Sequence, residues 1–123
     1  MKSILYIMSF VCVFVAASCV QKSYKRVVVV TLDVSKEKNI QSVGIRGNGK
    51  PLSWDNDYPM QEVVKDSFYQ AIMTTKTGYL FAEIKCTVNG NFELQDQPNK
   101  RIEFDIQKDT TYVSLVFNKN KNP

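Results

Sequence analysis

The sequence predicts an all-β fold, an immunoglobulin-like antiparallel sandwich of about seven to eight strands. Three observations lead there. β-Branched and aromatic residues gather in short runs spaced by roughly ten residues, as in sandwich folds. No stretch carries apolar residues at the spacing of an amphipathic helix, and Pro59 to Phe68 makes a turn at most. Between two of the runs stands Asn89-Gly90, the dipeptide that a two-residue type I′ hairpin wants because both positions need positive φ.

The first run, Arg26 to Val34 (RVVVVTLDV), is too short for an ordinary helix and apolar enough to read as a strand largely buried on both faces. Ile40 to Arg46 follows, with Ile40, Val43 and Ile45 apolar, and is stopped by the loop Gly47-Asn48-Gly49-Lys50-Pro51. Met60 to Val64 is a short edge strand. Ser67 to Thr75 alternates, placing Tyr69, Ala71 and Met73 on one face and Phe68, Gln70 and Ile72 on the other. Gly78 turns the chain into Tyr79 to Val88. There Leu80, Ala82, Ile84, Cys86 and Val88 share the inward face, while Phe81, Glu83, Lys85 and Thr87 point outward. After Asn89-Gly90, Phe92 to Gln95 is the return strand, and Arg101 to Ile106 and Thr110 to Phe117 complete the set around the polar Gln107-Lys108-Asp109.

A chain of 123 residues with 44% hydrophobic and 23% charged content fits one modest core. It holds no histidine, which removes Ser-His-Asp and Cys-His catalysis, His-ligated zinc and histidine acid–base chemistry. The net charge of +4 comes from 16 basic and 12 acidic residues mixed along the chain, so no basic block marks a nucleic-acid partner. A glycosidase would need two carboxylates held apart across a cleft, which a sandwich this small does not offer. The sequence therefore reads as a non-enzyme without a cofactor or metal. Asp55, Asp57 and Glu62 lack the rest of a calcium-loop signature and read as solvated carboxylates.

The start of the chain reads as an address. Lys2, the apolar run Ile4 to Val15 and the small residues Ala16, Ala17 and Ser18 lead to Cys19, the layout of a secretory signal and of a bacterial lipobox. The expectation is a signal peptide over 1–18, cleavage before Cys19, and acylation of that cysteine, giving an exported protein lipid-anchored to the cell envelope, on the outer membrane or facing the periplasm. The alternative is an uncleaved anchor, but Ile4 to Val20 lies at the low edge of the roughly 17–25 residues that span a bilayer. Residues 19–25 then form a tether, 26–118 the domain and 119–123 a disordered tail. Cys12 leaves with the signal, so Cys86 is the one thiol of the folded part, with no intrachain disulfide possible; it packs as a small hydrophobe, the alternative being a reactive nucleophile, which would lack a histidine partner.

Five stretches occur in an order that resembles the starch-binding β-sandwich modules of carbohydrate-binding families 20 and 48. They are Val30-Thr31-Leu32; Val43-Gly44-Ile45-Arg46-Gly47; Pro51-Leu52-Ser53-Trp54-Asp55; Ile84-Lys85-Cys86; and Phe92-Glu93-Leu94…Pro98-Asn99-Lys100-Arg101. The resemblance implies α-glucan binding by stacking of glucose rings on exposed tryptophans, helped by a lysine. Carried over by position, Trp54 is the first platform and Lys85 the lysine. The second platform falls on Leu94, leaving Phe92 or Tyr58 as the aromatic to replace it.

The residues themselves leave two readings of Trp54. Its loop carries Asp55, Asn56, Asp57 and Tyr58, and an aromatic beside polar groups suits a pyranose, whose apolar face meets the ring while its hydroxyls meet amides and carboxylates. Otherwise the ring packs beneath the loop. Lys85 is a ligand or a solvated strand residue. Asn99 is a ligand contact or, with Arg101, a structural corner after Pro98. The expected ligand-binding set is Trp54, Lys85, Tyr58 and Asn99, with Cys19 the lipidation site. Function is then a non-catalytic, membrane-anchored glycan-binding-like module. The alternative is a structural or protein-interaction sandwich that has lost sugar binding, either on its own or accessory to a separate glycan-processing enzyme. No protein partner can be named from the residues.

Overall fold

The computed structural model describes residues 22–120, so the signal segment, Cys19, the first part of the tether and residues 121–123 lie outside the described residues. It is an all-β sandwich of nine strands: β1 (Tyr24–Asp33), β2 (Val43–Gly47), β3 (Tyr58–Pro59), β4 (Gln61–Val64), β5 (Phe68–Thr77), β6 (Phe81–Val88), β7 (Asn91–Phe92), β8 (Lys100–Glu103) and β9 (Thr110–Val116). The count exceeds the expected seven to eight because β3 and β7 are two-residue strands.

One sheet runs β4-β5-β1-β9 and the other β3-β2-β6-β7, with β8 also pairing β6. β1 lies between β5, antiparallel, and β9, parallel. The core is the facing alternate residues of both layers: Val28, Val30 and Leu32 from β1, Ala71 and Met73 from β5, Ile45 from β2, and Ile84 and Cys86 from β6. Period-two alternation was the correct guide for β5, whose Tyr69, Ala71 and Met73 are buried while Phe68 and Ile72 are exposed.

β1 is not buried on both faces. Val27, Val29 and Thr31 are half-buried, because no second layer covers the far side of its sheet and only neighbouring side chains shield them. It also begins earlier than expected: Tyr24 and Lys25, read as tether, pair with Thr77 and Lys76.

The hairpin at Asn89-Gly90 forms as predicted, with φ of 53° and 79° and Val88 paired to Asn91. Asn89 does more than turn. Its Oδ1 accepts the amides of Gln41 and Ser42 and its Nδ2 donates to the Asn39 carbonyl, which pins the chain entering β2. The return strand stops at Phe92. Glu93 donates its amide to the Cys86 carbonyl and accepts the Cys86 amide on Oε2 at 2.7 Å, so its side chain takes over the ladder. Leu94 then turns away with φ of 51° and is buried. Leu80, expected to face inward, is exposed because β6 begins only at Phe81.

Glu93 is fully buried, and the ammonium of Lys100, only 4% exposed, lies 2.6 Å from its Oε1. Lys100 also donates to the Val116 carbonyl, and the Asn118 amide donates to Glu93 Oε1. This network joins β6, β8 and the end of β9 across the sandwich. The corner after Pro98 is therefore built on Lys100; Asn99 is exposed and Arg101 lies over the Phe81 ring, 3.5 Å from its centroid. The expected tail is partly fastened, for Lys119 donates to the Val116 carbonyl and Asn120 to Gln97 Oε1.

Candidate functional site

The outer face of the β2–β6 sheet is organised by Arg46. Alternation along β2 puts Ile45 inward at 0% exposure and Arg46 outward. Its Nε meets Asp57 Oδ1 at 2.7 Å, its Nη1 donates to the Trp54 carbonyl at 3.2 Å, and its guanidinium lies 4.9 Å from the centroid of Phe92. One cation therefore holds both the outgoing loop and the strand beyond β6. Such a charge-assisted contact is stronger than a neutral one, and here it is only partly solvated.

The loop can fold flat because position 44 is glycine. A Cβ there would come within 2.7 Å of Asp57 Cβ and Cγ and 2.9 Å of Thr87 Oγ1. Asp57 thus covers β2, and Thr87, predicted to face solvent, is fully buried beneath the cover. Its Oγ1 has no hydrogen-bond partner among the described residues.

Trp54 stands on this fastened loop with 37% of its surface exposed and is not part of the core cluster. The loop is braced further by the Asp55 amide donating to Ser53 Oγ. Lys85 is the β6 partner of Arg46 in register and is half-buried, its Nζ donating to the Leu94 carbonyl at 3.0 Å. That leaves two ammonium protons uncommitted to this bond. Asn99 Nδ2 donates to Glu83 Oε2 at 3.3 Å, two positions along β6 from Lys85 on the same outer face. The Trp54 loop, Lys85 and Asn99 thus share one face of one sheet.

Tyr58 does not join them. It pairs with Ile45, packs against the core, and donates its hydroxyl to the Ile72 carbonyl at 3.1 Å, on β5 beyond the point where β4 stops pairing at Gln70. It closes the side of the sandwich. The position of the second platform, Leu94, is buried, and the face of Phe92 is taken by Arg46. None of the three supplies a second open ring.

Asp57 is committed to Arg46 and Glu62 Oε2 accepts the Tyr69 hydroxyl at 2.9 Å, so the acidic triplet is dispersed. That bond, after burial of the ring, helps hold the Tyr69 hydroxyl above its ordinary pKa. No group of three or more Cys, Asp or Glu side chains converges on a metal-sized site among the described residues. Cys86 is fully buried, and burial first, with the nearby Glu93 carboxylate second, pushes its thiol well above the ordinary range. A thiol so placed is inert packing.

Reasoning from sequence missed Arg46, Asp57, Glu93 and Lys100. For Lys100 a signal existed: the alternation through Ile102 and Phe104, carried one step back, places it inside. Arg46 and Asp57 meet across a loop and left no local pattern. Compared with known proteins, the chain matches no family model and no curated protein at a significant level.

Proposed function

We propose that the domain is a non-catalytic glycan-binding module with a single aromatic platform, carried on a lipid anchor at Cys19. The observation that supports it is Trp54: an indole displayed on a loop clamped from behind by Arg46, with Asp55 and Asn56 exposed beside it. Preorganisation of the loop lowers the ordering cost of binding. Stacking on one ring, with hydroxyl contacts to nearby amides and carboxylates, gives an affinity from millimolar to high micromolar, about 4–6 kcal/mol. Lys85 and Asn99 extend the same face and are the polar contacts for a longer chain of sugars.

Calorimetric titration with α-glucan oligosaccharides and with an array of other glycans tests the reading. Trp54→Ala should abolish binding and leave the melting temperature nearly unchanged. Absence of binding by the wild-type chain to every glycan, or a loss of stability matching the loss of affinity, would overturn it. Radiolabelled palmitate should be incorporated by the wild type and not by Cys19→Ala.

A second reading has its own support. The outer face of β5-β1-β9 carries the row Ile72, Val29 and Tyr112, flanked by Gln70, Thr31 and Ser114 on one side and Thr74, Val27 and Thr110 on the other. Ile72 is 61% and Tyr112 78% exposed, and none of the nine is charged. Such an uncharged, partly apolar surface suits a protein-interaction sandwich, accessory to a separate enzyme.

A further inference from the structure

Where β5 hands over to β6 the two sheets part and leave a cavity of about 790 Å³. Protein interiors seldom hold voids larger than a water molecule, and ligand sites occupy roughly 300–1,000 Å³, so this opening has the dimensions of a site. Its floor is core: Val28, Met73, Ile84, Ile102 and Phe104. The segment Asn48 to Leu52 walls one side, steadied by Thr75, whose hydroxyl donates to the Lys50 carbonyl at 2.7 Å.

The charge of the wall has one sign. Lys50 and Lys76 line the cavity, both are exposed, and no Asp or Glu lines it. Arg26 is an independent indication. It occupies the core-facing side of β1, two residues before Val28, and pairs with Thr75, both of which line the cavity. Its Nε is buried with no hydrogen-bond partner among the described residues. The rest of Arg26 is partly exposed and its guanidinium lies 5.3 Å from the centroid of the Tyr24 ring, so it stands beside the cavity with one donor unpaired, and an unpaired donor there favours an anionic ligand.

We propose that this cavity binds a long-chain fatty carboxylate, with the acyl tail on the apolar floor and the carboxylate among Arg26, Lys50 and Lys76. The site is separate from Trp54 and does not depend on the glycan reading. Neutral chains fill the floor but forgo the cations, and short carboxylates forgo the floor.

The test uses the full-length chain, free of detergent, titrated with cis-parinarate and followed by its fluorescence. Saturable binding of one probe per chain is expected, displaced by dodecanoate and at least tenfold less effectively by 1-dodecanol. Lys50→Glu/Lys76→Glu, which alters only exposed side chains of the wall, should weaken dodecanoate at least tenfold at an unchanged melting temperature. Ala82→Trp should block the probe by filling the half-buried wall; if that variant does not fold, the lysine pair still decides. Absence of saturable probe binding, equal displacement by acid and alcohol, or a charge-reversed variant within twofold of wild type would each overturn the proposal.

Discussion

Replacing Lys100 by Met keeps an unbranched stem in place and removes the ammonium that lies 2.6 Å from Glu93 Oε1. Glu93 has no exposure to water, so its carboxylate is left uncompensated, and the Val116 carbonyl loses its donor at 2.7 Å. Breaking one side of a buried pair costs about 3–5 kcal/mol. A small domain has about 5–15 kcal/mol in total. At roughly 4–8 °C per kcal/mol for a domain of this size, the melting temperature should fall by about 12–40 °C. The double variant Glu93→Met/Lys100→Met buries no lone charge, but it strands the amides of Cys86 and Asn118, at about 1–3 kcal/mol each. Its loss should therefore be less than the sum of the two single losses, with a coupling of about 2 kcal/mol or more. Urea unfolding followed by far-ultraviolet dichroism, analysed as a double-mutant cycle at constant m, gives the numbers. Single variants within about 1 kcal/mol of wild type, or strictly additive losses, would refute the reasoning that this pair is a buried tie rather than a solvated one.

Three further outcomes follow from the packing. Ile84→Ala, at a side chain with 0% exposure, should cost about 2–5 kcal/mol in the same unfolding assay. Gly44→Ala should lift Asp57 from β2, visible as a shift in Trp54 fluorescence and, on the proposed glycan reading, as weaker glycan binding, with the domain still folded. Cys86 should resist alkylation until the protein unfolds, as mapped by mass spectrometry. Because its folded pKa is raised, its stabilising contribution is complete at neutral pH and declines as pH rises above roughly 8.5, where the unfolded thiol ionises.

The sequence was most legible where local rules act alone. Alternation assigned the two faces of Phe68–Thr77, and two residues sufficed for the hairpin at Asn89-Gly90. It misled where a neighbour changes the environment of a strand. Thr87 follows the outward parity of Lys85 yet is covered by Asp57, which lies thirty places away in the chain, roughly the separation at which no periodicity operates. Lys100 was passed over because charged residues are presumed solvated, although its register was readable. Tyr58 sits in a strand of two residues, too short to have a pattern, and its partner Ile72 belongs to the other sheet. The cavity has no counterpart in the sequence, since it depends on how far two sheets splay.

The position of β1 has a consequence for synthesis. Val29 pairs with Ile72 on one side and Tyr112 on the other, so β1 leaves the ribosome before both of its partners and is flanked by β5 first and by β9 only later. At about 5–20 residues per second, the valine-rich segment waits on the order of several seconds with both backbone edges unpaired. Closing such distant pairings is slow, and an open apolar edge is the kind of surface that other chains recruit. A stalled or truncated product lacking Thr110–Val116 would keep one side of Val27 to Asp33 permanently bare. Quality control of this protein therefore turns on β9, and loss of Thr110–Val116 should send the chain toward aggregation or a holdase.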